Sequence, residues 1–417
     1  MIRGLVALAF ATVGVCWLLW FQASHEFWYP HIAVDPVVYW SRATSFHEQG
    51  GSWAALGMNE YQPGALWFFA ALMALAGGKC SFEQFFPVLL MSNALLLAAH
   101  VALARVFVSI RAAWLILLFA VLVGPILFCR FELLVSLLVL LGWLFWRRGW
   151  FLSSGALLGA ATATKVYPVL LVPLLLMAAW REGRWSLAAS GLFGWVVGGF
   201  FVAGAFGLSG GEAEDIWSAL QFHFDKPFGV EGMLGSGIPL LQGLLGIPLR
   251  LAPRNGIHGF ESDLGSLPTF LLEWCWLPVF AAVVWAVLRL PRDERCAAPG
   301  ALFVLFGWYV LLGKLTAPQY AWWALPFLAL APAAWMTRGE WRWVIALLVA
   351  SLVLAQIVYP LNYSEFLECF RGDYLGNRIF RLNLLKNLLW LLALLVASRA
   401  LWRAGERAAP SAAAAGS

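Results

Sequence analysis

Few residues in this chain are equipped to do chemistry, because most of it is apolar. Asp35, in AVDPVVYWSRA, is the main acid of the first long hydrophilic stretch. A carboxylate there can take a proton from a hydroxyl. It can also cap a helix over 36–46, with Asp35 at the N-cap and Pro36 at N1, and one residue can do both. Tyr39 and Arg42 follow at helical spacing and share its face. Arg130 (FCRFE), Lys165 (ATKVYP) and Lys314 (LGKLTAPQY) stand at the ends of apolar runs. Charge at membrane depth is costly and usually tied to function. Each cation alone can snorkel to the headgroups as an anchor. Three on one side suit a lipid-linked phosphate better.

Other polar groups carry weaker signals. Glu60 ends the first stretch in EYQP and reads equally as a solvated acid before a turn. Glu132 opens an apolar run two residues after Arg130. A local charge pair at a helix N-terminus accounts for it as well. His223 and Lys226 sit in QFHFDKPFGVEGMLGSGIP, where aromatic residues interleave the charges and Glu231 and Ser236 add polar groups. Such a wall suits a sugar or a headgroup, although a lone histidine is often a plain surface residue. His25, His31, Asp35 and His47 share one stretch, but no pair has metal-ligand spacing, so no metal is expected. No Gly-rich phosphate loop, GxSxG elbow or Cys/His nucleophile pattern is present.

The elements that must position these residues are membrane helices. The 417 residues are 62% hydrophobic and 12% charged, about half the charge of a soluble domain. Mean hydropathy is +0.80. Lipid is the solvent that such a surface requires. The 25 Trp and 31 Phe fit membrane interfaces. A net charge of +5, spread over short loops, sets orientation and argues against nucleic-acid binding. Apolar runs fall at 4–22, 84–104, 112–128, 131–146, 151–165, 166–180, 185–207, 268–290, 299–313, 318–336, 342–360 and 380–402. The first reads as a retained span, not a cleaved signal. Arginines mark every second connection (Arg105 and Arg111, Arg147 and Arg148, Arg181 and Arg184, Arg289 to Arg295, Arg338 and Arg342) and the C-terminal end at Arg399 to Arg407. Those connections and both termini are therefore expected in the cytoplasm. Parity then demands an even number of crossings, about twelve. The thirteenth run, 63–77, becomes a juxtamembrane helix at the outer surface. The expected fold is thus all-α and polytopic: one membrane domain over 1–402, outer loops at 23–83 and 208–267, and a disordered cytoplasmic tail at 403–417. The six cysteines form no CxxC pair; Cys80 and Cys369 both fall in outer segments, without spacing that supports a disulfide.

Several strings resemble the membrane-embedded GT-C glycosyltransferases, specifically glycosyltransferase family 87, the bacterial polyprenyl-phosphate-mannose-dependent mannosyltransferases and their relatives. VDPVVYWSRATSFHEQGGSW…NEYQPGALWFF is similar to the family's D…Y…G…EYPP pattern at Asp35, Tyr39, Glu60, Tyr61 and Pro63. RFELLVSLLVLLGWLF and GALLGAATATKVYPVLLVPLLL resemble its RFD…KxYP block at Arg130, Lys165, Tyr167 and Pro168. HFDKPFGVEGMLGS is similar to an H…R…ES segment, and KLTAPQYAWWALP to SPQYLLWLLP, which carries Gln319 and Tyr320. EYQP replaces EYPP, Glu132 replaces Asp, Lys226 stands for Arg, and the Glu–Ser pair is spread to Glu231 and Ser236. The resemblance covers roughly residues 4–336.

It implies a GT-C fold in a bacterial inner membrane and an inverting transfer of a hexose, most often mannose. The donor is a polyprenyl-phosphate sugar, the acceptor a lipid or glycan hydroxyl, and the active site faces outward. Asp35 is then the base. Arg130, Lys165, His223, Lys226 and Lys314 hold the donor phosphate, and Tyr39, Glu60, Tyr61, Tyr167, Gln319 and Tyr320 line the substrate. No cofactor is implied, though members of the wider superfamily differ over a divalent cation. A lipid-linked glycan flippase or a polymerase or ligase is the competing class. A flippase needs charge along a path through the bilayer, and apart from His100 and Glu273 near span ends these spans look almost free of it.

Overall fold

The computed structural model describes the chain except residues 1, 26–31, 55–59, 182, 248, 252–257, 262–265, 291–298, 315, 332–334, 371–373 and 415–417. His31, Arg292, Arg295 and Cys296 therefore lie outside the described residues. In chain order the helices are α1 (Ile2–Ser24), α2 (Val34–Glu48), α3 (Pro63–Leu75), α4 (Phe82–Phe107), α5 (Ile110–Val123), α6 (Glu132–Arg147), α7 (Phe151–Thr164), α8 (Leu171–Arg181) and α9 (Trp185–Leu208). Next come α10 (Ala213–Phe224), α11 (Met233–Leu245), α12 (Ser266–Glu273), α13 (Trp276–Arg289), α14 (Pro299–Leu312), α15 (Leu325–Leu330), α16 (Arg338–Gln356), α17 (Tyr363–Cys369) and α18 (Arg378–Ala414). Short 3-10 turns at Pro125–Leu127, Tyr167–Leu170 and Pro318–Trp323 join some of them.

Among the described residues six stretches are long and apolar enough to cross a membrane: Gly4–Ser24, Phe82–Phe107, Trp185–Leu208, Pro268–Arg289, Arg338–Leu361 and Arg378–Ala404. Large apolar side chains stay exposed on them, such as Phe10 and Trp17 on α1 and Phe200 and Phe201 on α9. Only lipid makes that surface stable. This is a multi-pass membrane protein. Several other expected spans are shorter helices, among them Ile110–Val123, Phe151–Thr164 and Pro299–Leu312. At 1.5 Å per residue a helix of 14 residues reaches about 21 Å, short of the ~30 Å hydrocarbon core.

The fold differs from the sequence expectation in several places, three of them as follows. Three short strands, β1 (Phe228–Gly229), β2 (Arg250–Leu251) and β3 (Gly259–Glu261), form an antiparallel sheet of order β1-β3-β2. Phe228 pairs with Phe260, and Arg250 with Glu261. Strands this brief carry no alternating pattern to read. Second, α2 starts at Val34 with Ala33 as its N-cap. Asp35 is therefore inside the first turn, and no side chain caps this helix. Third, α18 continues to Ala414, through most of the segment read as a tail. Alanine is the best helix former, so the Ala-rich end extends the helix.

The chain forms two compact units. One comprises Met1–Val106 and Pro125–Asp225; the other comprises Phe107–Gly124 and Lys226–Ser417. In the first, α7 and α9 meet backbone to backbone. A Cβ on Gly155 would lie 2.0 Å from the Gly191 carbonyl oxygen, and one on Gly159 2.1 Å from that of Trp195. Small residues permit such an approach between membrane helices. The helix α3 is mostly buried, with Ala65, Leu66, Phe69, Leu72 and Met73 inside. In the second unit, Phe228, Val230, Leu234, Ile238 and Phe260 share a core with Val358, Phe366, Phe370 and Phe380. This core ties the sheet and α11 to α17 and the start of α18.

Candidate active site

In the first unit two ion pairs form between residues far apart in sequence. Arg130 Nη1 lies 2.7 Å from Asp35 Oδ2. Lys165 Nζ donates to Glu132 Oε1. Neither is the local Arg130–Glu132 pairing that the sequence suggests. Burial separates the two carboxylates: the Asp35 side chain is 38% exposed, the Glu132 side chain 1%. Asp35 is open at the surface of the unit; Glu132 is a buried counter-ion for Lys165. A buried charge needs its partner. Glu132 Oε2 is nevertheless buried with no hydrogen-bond partner.

Local structure explains how these groups converge. Asp35 sits in the first turn of α2, where the helix dipole favours a carboxylate. Arg130 lies in the turn between the Pro125–Leu127 3-10 helix and α6. That turn is held from α4. Asn93 Nδ2 donates to the carbonyls of Phe128 at 2.7 Å and Arg130 at 2.9 Å, and Asn93 is fully buried. Lys165 follows the last residue of α7. Thr164 touches the start of α3, where a Cβ on Gly64 would fall 2.2 Å from Thr164 Oγ1. The absent side chain of Gly64 thus lets EYQPG sit against ATK. Sequence reading found neither Asn93 nor Gly64. Asn93 was visible as a polar residue inside an apolar run, but nothing in the run names its partner.

Aromatic rings pack beneath the pairs. Tyr39 stacks on Phe69 at 4.2 Å, and Tyr39, Tyr61 and Phe69 each meet Phe131 edge to face, at 5.7, 6.1 and 5.6 Å. Lys165 Nζ stands 4.8 Å from the Phe131 ring centroid. Such contacts are each worth about 0.5–1.5 kcal/mol. Tyr39 is almost fully buried, so it supports the site from below. Burial, then the nearby carboxylates of Asp35 and Glu60, hold the Tyr61 phenol well above its ordinary value. It stays a neutral hydrogen-bonding group. Tyr167 is buried in the 3-10 turn after Lys165. His223 is exposed in the last turn of α10, at the end of this unit.

The remaining expected residues belong to the second unit. Lys314 Nζ donates to Glu273 Oε1 at 2.6 Å and stands 5.5 Å from the Phe228 ring centroid. Lys226 is buried. Tyr320 stacks on Trp323 at 4.4 Å. Gln319 is buried, and its Oε1 has no hydrogen-bond partner. Glu231 is partly exposed, and Tyr363 hydrogen-bonds to its carboxylate. Cys80, Cys129 and Cys369 are free thiols. Among the described residues no group of three or more His, Cys, Asp or Glu could hold a metal ion.

Open carboxylate, paired cations and aromatic floor can together deprotonate a hydroxyl beside an anion-binding site. Comparison with known proteins narrows this chemistry. The family model described as Glycosyltransferase family 87 matches residues 59–318, more than half of the chain. The match begins after Asp35 and Tyr39 and ends before Gln319 and Tyr320. The solved apo structure of ArnT from Cupriavidus metallidurans is similar over 97% of this chain and 78% of that one, with a TM-score of 0.50 and 16% identity. At that identity the likeness speaks for the fold, which is GT-C-like. No curated protein matches the sequence.

Proposed function

The chain belongs to glycosyltransferase family 87, and from that premise we propose that it moves a hexose, mannose first among candidates, from a polyprenyl-phosphate carrier to a hydroxyl of a lipid or glycan acceptor. Asp35 is the general base. As the acceptor oxygen attacks the anomeric carbon, its proton passes to Asp35. The bond from that carbon to the phosphate oxygen breaks, its electron pair leaves with the polyprenyl phosphate, and the anomer inverts. The scheme needs no cofactor, because the carrier phosphate is itself the leaving group.

One observation carries this reading: a half-open carboxylate, Asp35, held 2.7 Å from a buried guanidinium, Arg130. Fixed cations lower the barrier where the leaving phosphate gains charge. Each unit offers its own candidates for the donor phosphate: Arg130, Lys165 and the exposed His223 in the first, Lys226 and Lys314 in the second. Arg130 and Lys165 already hold carboxylates, so the donor phosphate is read as joining these pairs and not as displacing the buried Glu132. Tyr39, Glu60, Tyr61 and Tyr167 of the first unit, and Gln319 and Tyr320 of the second, are the residues we assign to the substrate. We read the helices as about twelve crossings, with both termini in the cytoplasm and the site at the outer face of a bacterial plasma membrane.

The test is transfer of radiolabelled mannose from polyprenyl-phosphate-mannose to a membrane-lipid acceptor mixture by purified protein. Asp35→Asn should lower the rate by roughly 10²–10⁴, the usual contribution of a positioned base. Near-normal transfer by a folded Asp35→Asn protein would remove Asp35 from the role. No transfer by the unaltered protein from this donor would remove polyprenyl-phosphate-mannose.

A further inference from the structure

The arginine-rich end of the second unit takes no part in the scheme above. Arg289 ends α13. Its guanidinium lies 3.9 Å from the ring centre of Trp285, one turn back on the same helix, and 5.5 Å from that of Trp402 on α18. The two rings are themselves 4.7 Å apart, tilted by 47°. They stay open, Trp285 being 45% and Trp402 38% exposed, and Arg289 is exposed with them. Arg399, also exposed, stands three residues before Trp402 and so shares its face of α18. Arg289 closes the candidate span Pro268–Arg289, and Trp402 stands near the end of Arg378–Ala404. The ring pair is therefore at a span end, the depth at which headgroups lie.

Other charges at this end are already held by protein. Arg403 pairs with Glu340, and Glu406 Oε1 accepts from Trp402 Nε1 at 2.7 Å. Among the described residues no carboxylate pairs with Arg289 or Arg399. Membrane orientation needs only that arginines gather on one side. It does not need one of them laid against two indoles, because an arginine that only anchors a helix extends to water. Stacking covers the faces of the Arg289 guanidinium and leaves the N–H donors along its edge for an acceptor. That edge matches two oxygens of a phosphate at once.

We propose that Arg289, on its Trp285–Trp402 floor and flanked by Arg399, binds the phosphodiester of an anionic phospholipid. Two cations without carboxylates fit a headgroup of net negative charge and repel the choline of a zwitterionic one. The open indole surface takes the apolar part of the lipid nearest its headgroup, and the bound lipid bridges α13 and α18. The site lies wholly within the second unit and does not depend on the sugar-transfer reading.

The test is retention of radiolabelled phosphatidylglycerol and phosphatidylcholine by the purified full chain in detergent micelles. Salt is held at about 0.15 M, where charges more than roughly 8 Å apart are screened. The unaltered protein should hold phosphatidylglycerol roughly tenfold more tightly than phosphatidylcholine. Arg289→Gln should weaken phosphatidylglycerol binding by roughly tenfold or more, as loss of a charge-assisted bond does. Arg289→Lys keeps the charge but not the fork or the flat stack, and should lose nearly as much. Arg399→Gln should lose roughly fivefold, the effect of one cation beside an anionic headgroup. Arg342→Gln, at an exposed arginine of α16, should stay within about twofold. Should Arg289→Gln not fold, Arg289→Lys decides alone. Full binding by Arg289→Lys, or an equal loss in Arg342→Gln, means attraction by charge alone and overturns the proposal. Equal retention of both lipids by the unaltered protein overturns it too. So does displacement of phosphatidylglycerol by an equal concentration of inorganic phosphate, which would make this a phosphate site and not a lipid site. Unchanged binding by Arg399→Gln overturns the part given to Arg399.

Discussion

The two ion pairs in the first unit divide labour by exposure. Asp35 is open enough to meet a hydroxyl, and Glu132 is not. What holds Arg130 in place is therefore as consequential as Arg130 itself. Asn93 does this through two short bonds to the carbonyls on either side of Cys129. Replacing Asn93 with Leu leaves two buried carbonyls without that donor, a cost of about 1–3 kcal/mol. We expect Asn93→Leu to lower the unfolding midpoint and to cut transfer by roughly ten- to a hundredfold, the kinetic equivalent of about 1.4–2.7 kcal/mol. Asn93→Asp loses both N–H donors at nearly constant volume and should behave similarly. Thermal unfolding in detergent beside a transfer assay separates the two effects. A variant that loses stability but transfers at the normal rate when folded shows that the turn does not depend on Asn93 for its position. None of this was legible from residue types. Asp35, Arg130 and Lys165 stood out because charge at a span end is unusual, but their partners lie 95 and 33 positions away. Sequence offered only the neighbouring Arg130–Glu132 pair.

At the level of elements, the apolar runs located most helices within a few residues, because a run bounded by turns and charges has one simple reading in lipid. What the runs could not show is how closely two helices approach. The helices α7 and α9 touch through Gly155, Gly159, Gly191, Gly194 and Gly198, and a Cβ on Gly194 or Gly198 would lie 2.1 Å from a carbonyl oxygen of α7. Lys165 follows directly on α7, so this contact also sets where Lys165 stands. Gly159→Ala should destabilise by about 1–3 kcal/mol, since backbone cannot step aside as a flexible side chain can. Gly204→Ala, on the same α9 with nothing within 4 Å of the added carbon, should be neutral or slightly stabilising. Unfolding midpoints of the two variants are the measurement, and equal midpoints would refute the close-packing argument. The second outer loop was less legible. Its strands are two and three residues long, with β1 and β3 pairing across about thirty positions and β2 and β3 across about ten, and α10 and α11 fell inside what read as loop. Lys386, whose Nζ donates to the Glu231 carbonyl at 2.7 Å, was overlooked for a related reason: RLNLLKNLLW is apolar on average, and only the fold reveals that its polar residues share a face.

At the scale of the whole molecule, the remaining claim is orientation. Within the first unit, Glu132 begins α6 and Arg147 ends it. The turn at Arg147 and Arg148 is thus at the far end of α6 from the ion pairs. Within the second unit, Arg289 ends α13 while Glu273 precedes it, and Lys314 follows α14. The arginine end of that unit is tied together: Arg289 stacks on Trp285 at 3.9 Å and lies 5.5 Å from Trp402, Arg111 lies 5.0 Å from Trp341, and Arg403 pairs with Glu340. Arginine and tryptophan at one end, with lysine paired to glutamate at the other, is the distribution that membrane insertion imposes when the arginine end stays in the cytoplasm. On the orientation we propose, the Asp35 cluster faces outward, where a polyprenyl-phosphate sugar presented on the outer leaflet would be reached without crossing the bilayer. The prediction follows for reporters fused after Ser417 and inserted after Gly211. A fluorescent protein that matures only in the cytoplasm should glow at the first position and stay dark at the second. A phosphatase active only outside should show the reverse. The opposite pattern at both positions inverts the protein and places the Asp35 cluster where a nucleotide-activated sugar, not a lipid-linked one, is the available donor. The same pattern at both positions breaks the odd number of crossings expected between Gly211 and Ser417, and the run 318–336, which holds only a 3-10 turn and the six-residue helix α15, becomes the first element to reconsider as a crossing.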